Sequence, residues 1–195
     1  LTRLGCEVID MGVVRDDPAL LETAFLQAAE KADAIITSGG VSVGEADFTK
    51  AMMKKLGDVA FWKIAMRPGR PMAVGRIGKS VLFGLPGNPV AVMVTFLAFV
   101  RPALLRMMGS TVSAPVFLRA KSLEALRKKS GRTEYQRGFV STAADGSLQV
   151  RAAGNQGSGV LRSMVEGNGL IVLHHTQGNV ALGDEVDVMM FEGVI

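Results

Sequence analysis

The stretch Ala34-Ile-Ile-Thr-Ser-Gly-Gly-Val-Ser-Val-Gly-Glu-Ala-Asp47 decides how the first half of the chain is read. Residues 34–37 form a short apolar, β-branched run, the composition of a buried strand, and Ser38-Gly39-Gly40 ends it. The pattern over 45–56 then has helical spacing, with Gly57 as its stop. A strand running through a glycine loop into a helix leaves backbone N–H groups at a helix N-terminus, where a phosphate is favoured. The string is neither a Walker A loop nor a GxGxxG fingerprint. Glu45 and Asp47 also suit plain capping of the helix. On the residues alone, a structural loop and a phosphate loop stand equal.

The pattern continues in both directions. Upstream, Asp16-Asp17-Pro18 opens a helix over about 19–32 that carries Leu21, Phe25 and Ala28/Ala29 on one face. Residues 7–11 read as a short strand. The opening Leu-Thr-Arg-Leu-Gly reads as the tail of a helix, and the chain as a fragment whose N-terminus lies upstream. Downstream, 59–66, 71–76 and 80–84 read as strands, and 88–108 as a long apolar helix that Gly109 ends. The apolar run at its centre, 90–100, is shorter than the roughly 17–25 residues of a membrane span, so it reads as a core helix. Strands alternating with helices predict a three-layer α/β/α domain over 1–109.

From 110 onward the character changes. Glycines punctuate short β-rich runs at 114–122, 135–142, 148–152, 169–174 and 184–191, with Asp145-Gly146 as a hairpin turn. This spacing predicts a small β-barrel domain over 110–195.

Composition narrows the function classes. With 48% hydrophobic and 21% charged residues, the 195-residue chain is neither disordered nor collagen-like. Its one cysteine, Cys6, excludes an intrachain disulfide framework and a cysteine metal cluster. No signal peptide is evident, and the expectation is a cytoplasmic protein without a membrane association. The net charge of +4 hides an uneven distribution. Between Asp58 and Glu124 there is no acidic residue, while nine cations stand there. Such a field suits an anionic ligand, although a solvated basic face has the same composition. Lys63 stands beside Trp62 and Arg119 two from Phe117, but no aromatic stacking ladder accompanies the cations, so a nucleic-acid partner is not expected.

Two stiff loops fall inside that basic stretch. Arg67-Pro68-Gly69-Arg70-Pro71 holds two guanidiniums on a proline-braced bend, a geometry suited to oxyanions and also to a plain β-connection. In Leu85-Pro86-Gly87-Asn88-Pro89, Asn88 is a helix cap and Pro89 fits the first helical position. Asp16, Asp17 and Asp47 are carboxylates near loop ends, the donor type that Mg²⁺ prefers, and an N-cap uses the same residue. His174 and His175 read as surface residues without partners, and Trp62 and the eleven methionines as core filling.

Three strings go further: TSGGVSVGEADFTK at 37–50, FWKIAMRPGRP at 61–71 and GLPGNPV at 84–90. Together with CEVIDMGVVRDDP at 6–18, RTEYQR at 132–137 and NQGS at 155–158, they resemble the molybdopterin molybdenumtransferase family (MoeA, gephyrin E-domain) in its C-terminal half. The resemblance covers nearly the whole chain. It implies a partial MoaB/Mog-like, molybdopterin-binding α/β domain followed by a C-terminal β-barrel domain. It also implies a reaction: molybdenum from molybdate enters adenylylated molybdopterin with release of AMP, assisted by Mg²⁺.

By matching motifs, Asp16 and Asp47 fall on positions tied to catalysis and Mg²⁺. Ser38, Gly39, Gly40, Ser42, Gly44, Pro86, Gly87, Asn88 and Pro89 fall on the substrate-binding loops. Arg67, Arg70, Pro71, Arg132 and Ser158 fall on the molybdate-contacting positions. The resemblance further implies a homodimer of the full-length protein, with little turnover by the fragment alone. The sequence departs from the family in having arginine at 67 and 70 where lysine is common, and Ala91 where a serine often follows. A non-catalytic, gephyrin-like scaffold or anion-binding module is the alternative.

Overall fold

The computed structural model describes residues 1–41, 48–111, 115–157, 159 and 161–191. Its contacts divide the chain into two compact units, 1–64 with 69–108 and 65–68 with 109–195.

The first unit is built on a four-stranded sheet. Its strands are β1 (Ala34–Ser38), β2 (Asp58–Lys63), β4 (Pro71–Ile77) and β5 (Ser80–Leu85), in the order β1-β5-β4-β2. β1 runs parallel to β5, and the remaining neighbours are antiparallel. Alternation along β4 and β5 sends side chains to two faces. Ala73, Ile77 and Leu82 meet Phe25 of α1 (Pro18–Lys31) and Met53 of α2 (Phe48–Leu56) on one side. Met72, Phe83 and Leu85 meet Val100 and Leu104 on the other. These are the three layers expected from the sequence.

The second face is covered by the helical stretch Pro89–Met107, formed by α3 (Pro89–Thr95), a π-helical segment (Phe96–Val100) and α4 (Arg101–Met107). It runs past Arg101, so by length and composition it is long and apolar enough to cross a membrane. Here its Val90, Val94, Leu97, Val100 and Leu104 are buried.

Other local expectations fare differently. Residues 7–11 are not in a strand; Val8 and Ile9 are 46% and 50% exposed. That segment, α1 and β1 border a cavity of about 1270 Å³. Trp62 lies on the edge strand β2 and is 59% exposed rather than core filling.

In the second unit a strand of only two residues, β3 (Met66–Arg67), pairs in parallel with Thr133 and Glu134 of β7 (Thr133–Thr142). The run predicted as one strand over 59–66 is therefore two, assigned to different sheets. β7 also pairs with β8 (Leu148–Ala152) and β9 (Gly169–Leu173). β6 (Leu118–Ser122) joins β8 to β10 (Glu185–Met190), and β10 pairs with β9. These pairings close a five-stranded barrel. Val140, Val150, Ile171, Leu173, Val186 and Val188 fill its core. The helix α5 (Arg162–Glu166) interrupts the β-rich half where the sequence reading had none.

Candidate functional site

In the first unit the glycine loop is set by its neighbours. Gly39 N–H donates to Leu85 O at 3.0 Å, and Ser38 Oγ donates to Pro86 O at 3.4 Å. The structure thus brings the 38–40 and 85–87 loops together. A Cβ on Gly87 would lie 3.6 Å from Gly39 Cα. Gly40 has φ +69°, and a Cβ there would lie 2.4 Å from Thr49, so only glycine fits.

Asp16, Ser38, Gly39, Gly40 and Thr49 line the 1270 Å³ cavity, together with Thr37. Thr37 Oγ1 is buried and has no hydrogen-bond partner, a cost that a bound polar ligand would relieve. The sequence reading missed Thr37, although it stands next to the glycines. Because the Gly39 amide is committed to Leu85, Gly39 contributes shape to this loop. Ser42, Gly44 and Asp47 lie outside the described residues.

Asn88 is the N-cap of α3, its side chain accepting from Val90 N at 3.2 Å, and Pro89 holds the first helical position. Pro86 is buried, and neither it nor Gly87, Asn88 and Pro89 borders the cavity. Arg70 is exposed; it and Pro71 belong to the first unit but do not border the cavity either.

In the second unit the short pairing of β3 with β7 places Arg67 opposite Glu134. Arg67 is exposed, while the Glu134 side chain is only 6% exposed. Arg132 reaches Glu134 Oε1 with Nε at 2.8 Å and Nη2 at 2.7 Å. Arg67 and Arg132, 65 positions apart in sequence, thus stand on neighbouring backbone segments, and Arg132 is the one whose guanidinium reaches the Glu134 carboxylate. Lys128 is buried near Arg132 and Glu134, its ammonium donating to Lys129 O and Gln177 O at 3.0 Å each. Burial pushes the Lys128 pKa down, with Glu134 opposing and Arg132 adding to the shift.

Arg137 is 1% exposed and ties down the next loop. Its Nε donates to Ser163 Oγ at 2.9 Å, and its Nη2 donates to Asn155 O at 3.0 Å and Gly157 O at 3.1 Å. Gln156 clasps the Arg137 backbone in return, accepting from its N–H at 2.8 Å and donating to its C=O at 3.0 Å. Burial first, and then the charge of Arg67, press the Arg137 guanidinium pKa below its ordinary value. Ser158, the residue after this clasp, lies outside the described residues. The RTEYQR string carried Arg132 into the sequence reading, whereas Glu134, Arg137 and Lys128 had no signal beyond membership of it or closeness to it.

His174, expected without a partner, has one: its Nε2 lies 2.6 Å from Asp187 Oδ2. Among the described residues, no group of three or more His, Cys, Asp or Glu side chains is placed to hold a metal ion.

A three-layer α/β unit with a glycine loop beside a cavity, and a small five-stranded barrel unit, define a two-unit class of protein. The family described as "probable molybdopterin binding domain" matches residues 1–106, and "MoeA C-terminal region (domain IV)" matches 119–191; the chain belongs to this molybdopterin-binding family. It is 43% identical, over its whole length, to a molybdopterin molybdenumtransferase of Haemophilus influenzae, covering 48% of that protein. It is 34% identical to one of a Nostoc species, with 95% of this chain and 44% of that protein covered. The solved molybdopterin biosynthesis moea protein of Pyrococcus horikosii superposes with a TM-score of 0.78 at 30% identity, over 98% of this chain and 46% of that one. The chain thus spans about half the length of these relatives.

Proposed function

We propose that this chain supplies part of a molybdopterin molybdenumtransferase, which inserts molybdenum from molybdate into adenylylated molybdopterin and releases AMP. The observation that carries the reading is the β3–β7 pairing, which sets Arg67 beside the start of β7, next to Arg132, in a fold whose two units match the family in order. A tetrahedral dianion is well served by two such guanidiniums, each offering a planar fork of N–H donors.

The substrate's phosphate groups have a separate candidate place in the first unit. There Thr37, Ser38, Gly39 and Gly40 line the cavity that Asp16 also borders. Gly40 allows close backbone approach where a side chain would clash with Thr49. Asp16 and substrate phosphate oxygens together fit a Mg²⁺ ion, which commonly takes one or two carboxylates and keeps several waters. Bound there, the ion would supply neutralisation of phosphate charge. Asp16 itself would hold the ion, and the Thr37 hydroxyl would donate to a phosphate oxygen.

The test is cofactor formation by the whole protein from adenylylated molybdopterin, molybdate and Mg²⁺. Release of AMP that falls at least about tenfold in Arg67→Ala and in Arg132→Ala supports the reading, since each removes a charge-assisted contact. Failure of the unsubstituted protein to release AMP contradicts it.

A further inference from the structure

We infer that Glu134 is a positioning residue for the oxyanion contact made by Arg132, an inference that rests on the function proposed above. A guanidinium has two edges able to fork onto an oxyanion, the Nε/Nη2 edge and the Nη1/Nη2 end. Glu134 occupies the first, receiving Nε at 2.8 Å and Nη2 at 2.7 Å on the same oxygen. Among the described residues, no side chain takes the Nη1/Nη2 end. The carboxylate therefore holds the fork with its second edge presented.

Glu134 is itself fixed. Its side chain is 6% exposed. It sits in β7 at the position paired with Arg67, and Gln136 Nε2 lies 3.4 Å from its second oxygen while also donating to Arg127 O at 3.2 Å. A half-exposed arginine without such a partner spreads over many rotamers and gives up that freedom when it binds. With Glu134 in place, the ordering of Arg132 is complete before the anion arrives.

A buried carboxylate beside an anion site has two opposed effects, and their signs differ under substitution. As a bare negative charge it repels the anion, so Glu134→Gln would tighten binding. As the residue that orients Arg132 it assists the anion, so Glu134→Gln weakens binding. The inference predicts the second sign.

The experiment is calorimetric titration of tungstate, a tetrahedral dianion like molybdate, into the chain and its variants, with melting temperature and circular dichroism recorded for each. Glu134→Gln is expected to raise the tungstate Kd about tenfold, the size of one charge-assisted hydrogen bond. Glu134→Asp keeps the charge and withdraws the carboxylate by one methylene; it is expected to weaken binding too, where a role through charge alone leaves Kd unchanged. In an Arg132→Ala background, Glu134→Gln is expected to have no weakening effect, because the group being positioned is gone. Binding in Glu134→Gln as tight as in the unsubstituted chain, or tighter, overturns the inference. So does an equal loss in the Arg132→Ala background, which marks a general structural role. Absence of tungstate binding by the unsubstituted chain overturns the oxyanion reading, and the inference with it.

Discussion

Asp187 on β10 accepts hydrogen bonds from His174 Nε2 at 2.6 Å and Arg119 Nη1 at 2.9 Å, and Arg119 also reaches Glu185 at 3.1 Å. Burial pushes the Asp187 carboxyl pKa up, but the hydrogen bonds from His174 and Arg119, with their charges, outweigh it and hold it below the usual carboxylate range. A carboxyl depressed in the folded state contributes stability that is complete above its ordinary pKa of about 3.9 and is lost as pH falls through the lower folded value. Asp187→Asn is therefore expected to cost about 1 kcal/mol at neutral pH, discounted for the exposure of its partners. Melting curves of the two proteins should converge as the pH drops below about 4. A difference that stays constant from pH 7 to 3 contradicts this. At Gly40, substitution by alanine forces a Cβ to within 2.4 Å of Thr49 at φ +69°. An expected loss of about 1–3 kcal/mol follows from strain of this kind, measurable by urea denaturation. Residues of this sort were unevenly legible. Asn88 as a cap followed from its place before Pro89, whereas the partner of His174 lies thirteen positions away on β10, a distance no local pattern spans.

The elements were legible where one strong local rule governed them. α1 begins where Asp17 accepts from Ala19 N and Leu20 N, with Pro18 in the first turn. Residues 7–11 have the composition of a strand but, among the described residues, no pairing neighbour, and a strand requires both. β3 escaped notice because two residues carry no periodicity; its existence depends on a partner 67 positions further along. The clasp between Arg137 and Gln156 is likewise long-range. Arg137→Met leaves the carbonyls of Asn155 and Gly157 and the Ser163 hydroxyl without their buried donor. An expected loss of about 3–5 kcal/mol follows from breaking such a buried polar set, read from the denaturation midpoint. A loss below about 1 kcal/mol would show that solvent replaces the guanidinium there.

At the scale of the whole molecule, each of the two units is sustained by packing of its own. Leu82 is fully buried between β5 and the first helical layer, and Val150 is fully buried in the barrel. Leu82→Ala is expected to cost about 2–5 kcal/mol and to speed amide exchange in β1, β4 and β5. The three-layer and barrel architectures were readable from the change of pattern near Gly109, since helix-strand alternation and evenly spaced glycines are local signals. The allotment of 65–68 to the barrel unit was not, because it is decided by contacts made after the chain has returned. That allotment underlies the central claim, which is that β3 brings Arg67 to the Arg132–Glu134 pair to receive an oxyanion. The most direct test is calorimetric titration of molybdate into the chain, Arg67→Ala and Arg132→Ala. Saturable binding weakened at least about tenfold by each substitution is the predicted result. Molybdate binding that neither substitution alters, or no binding at all, would contradict it.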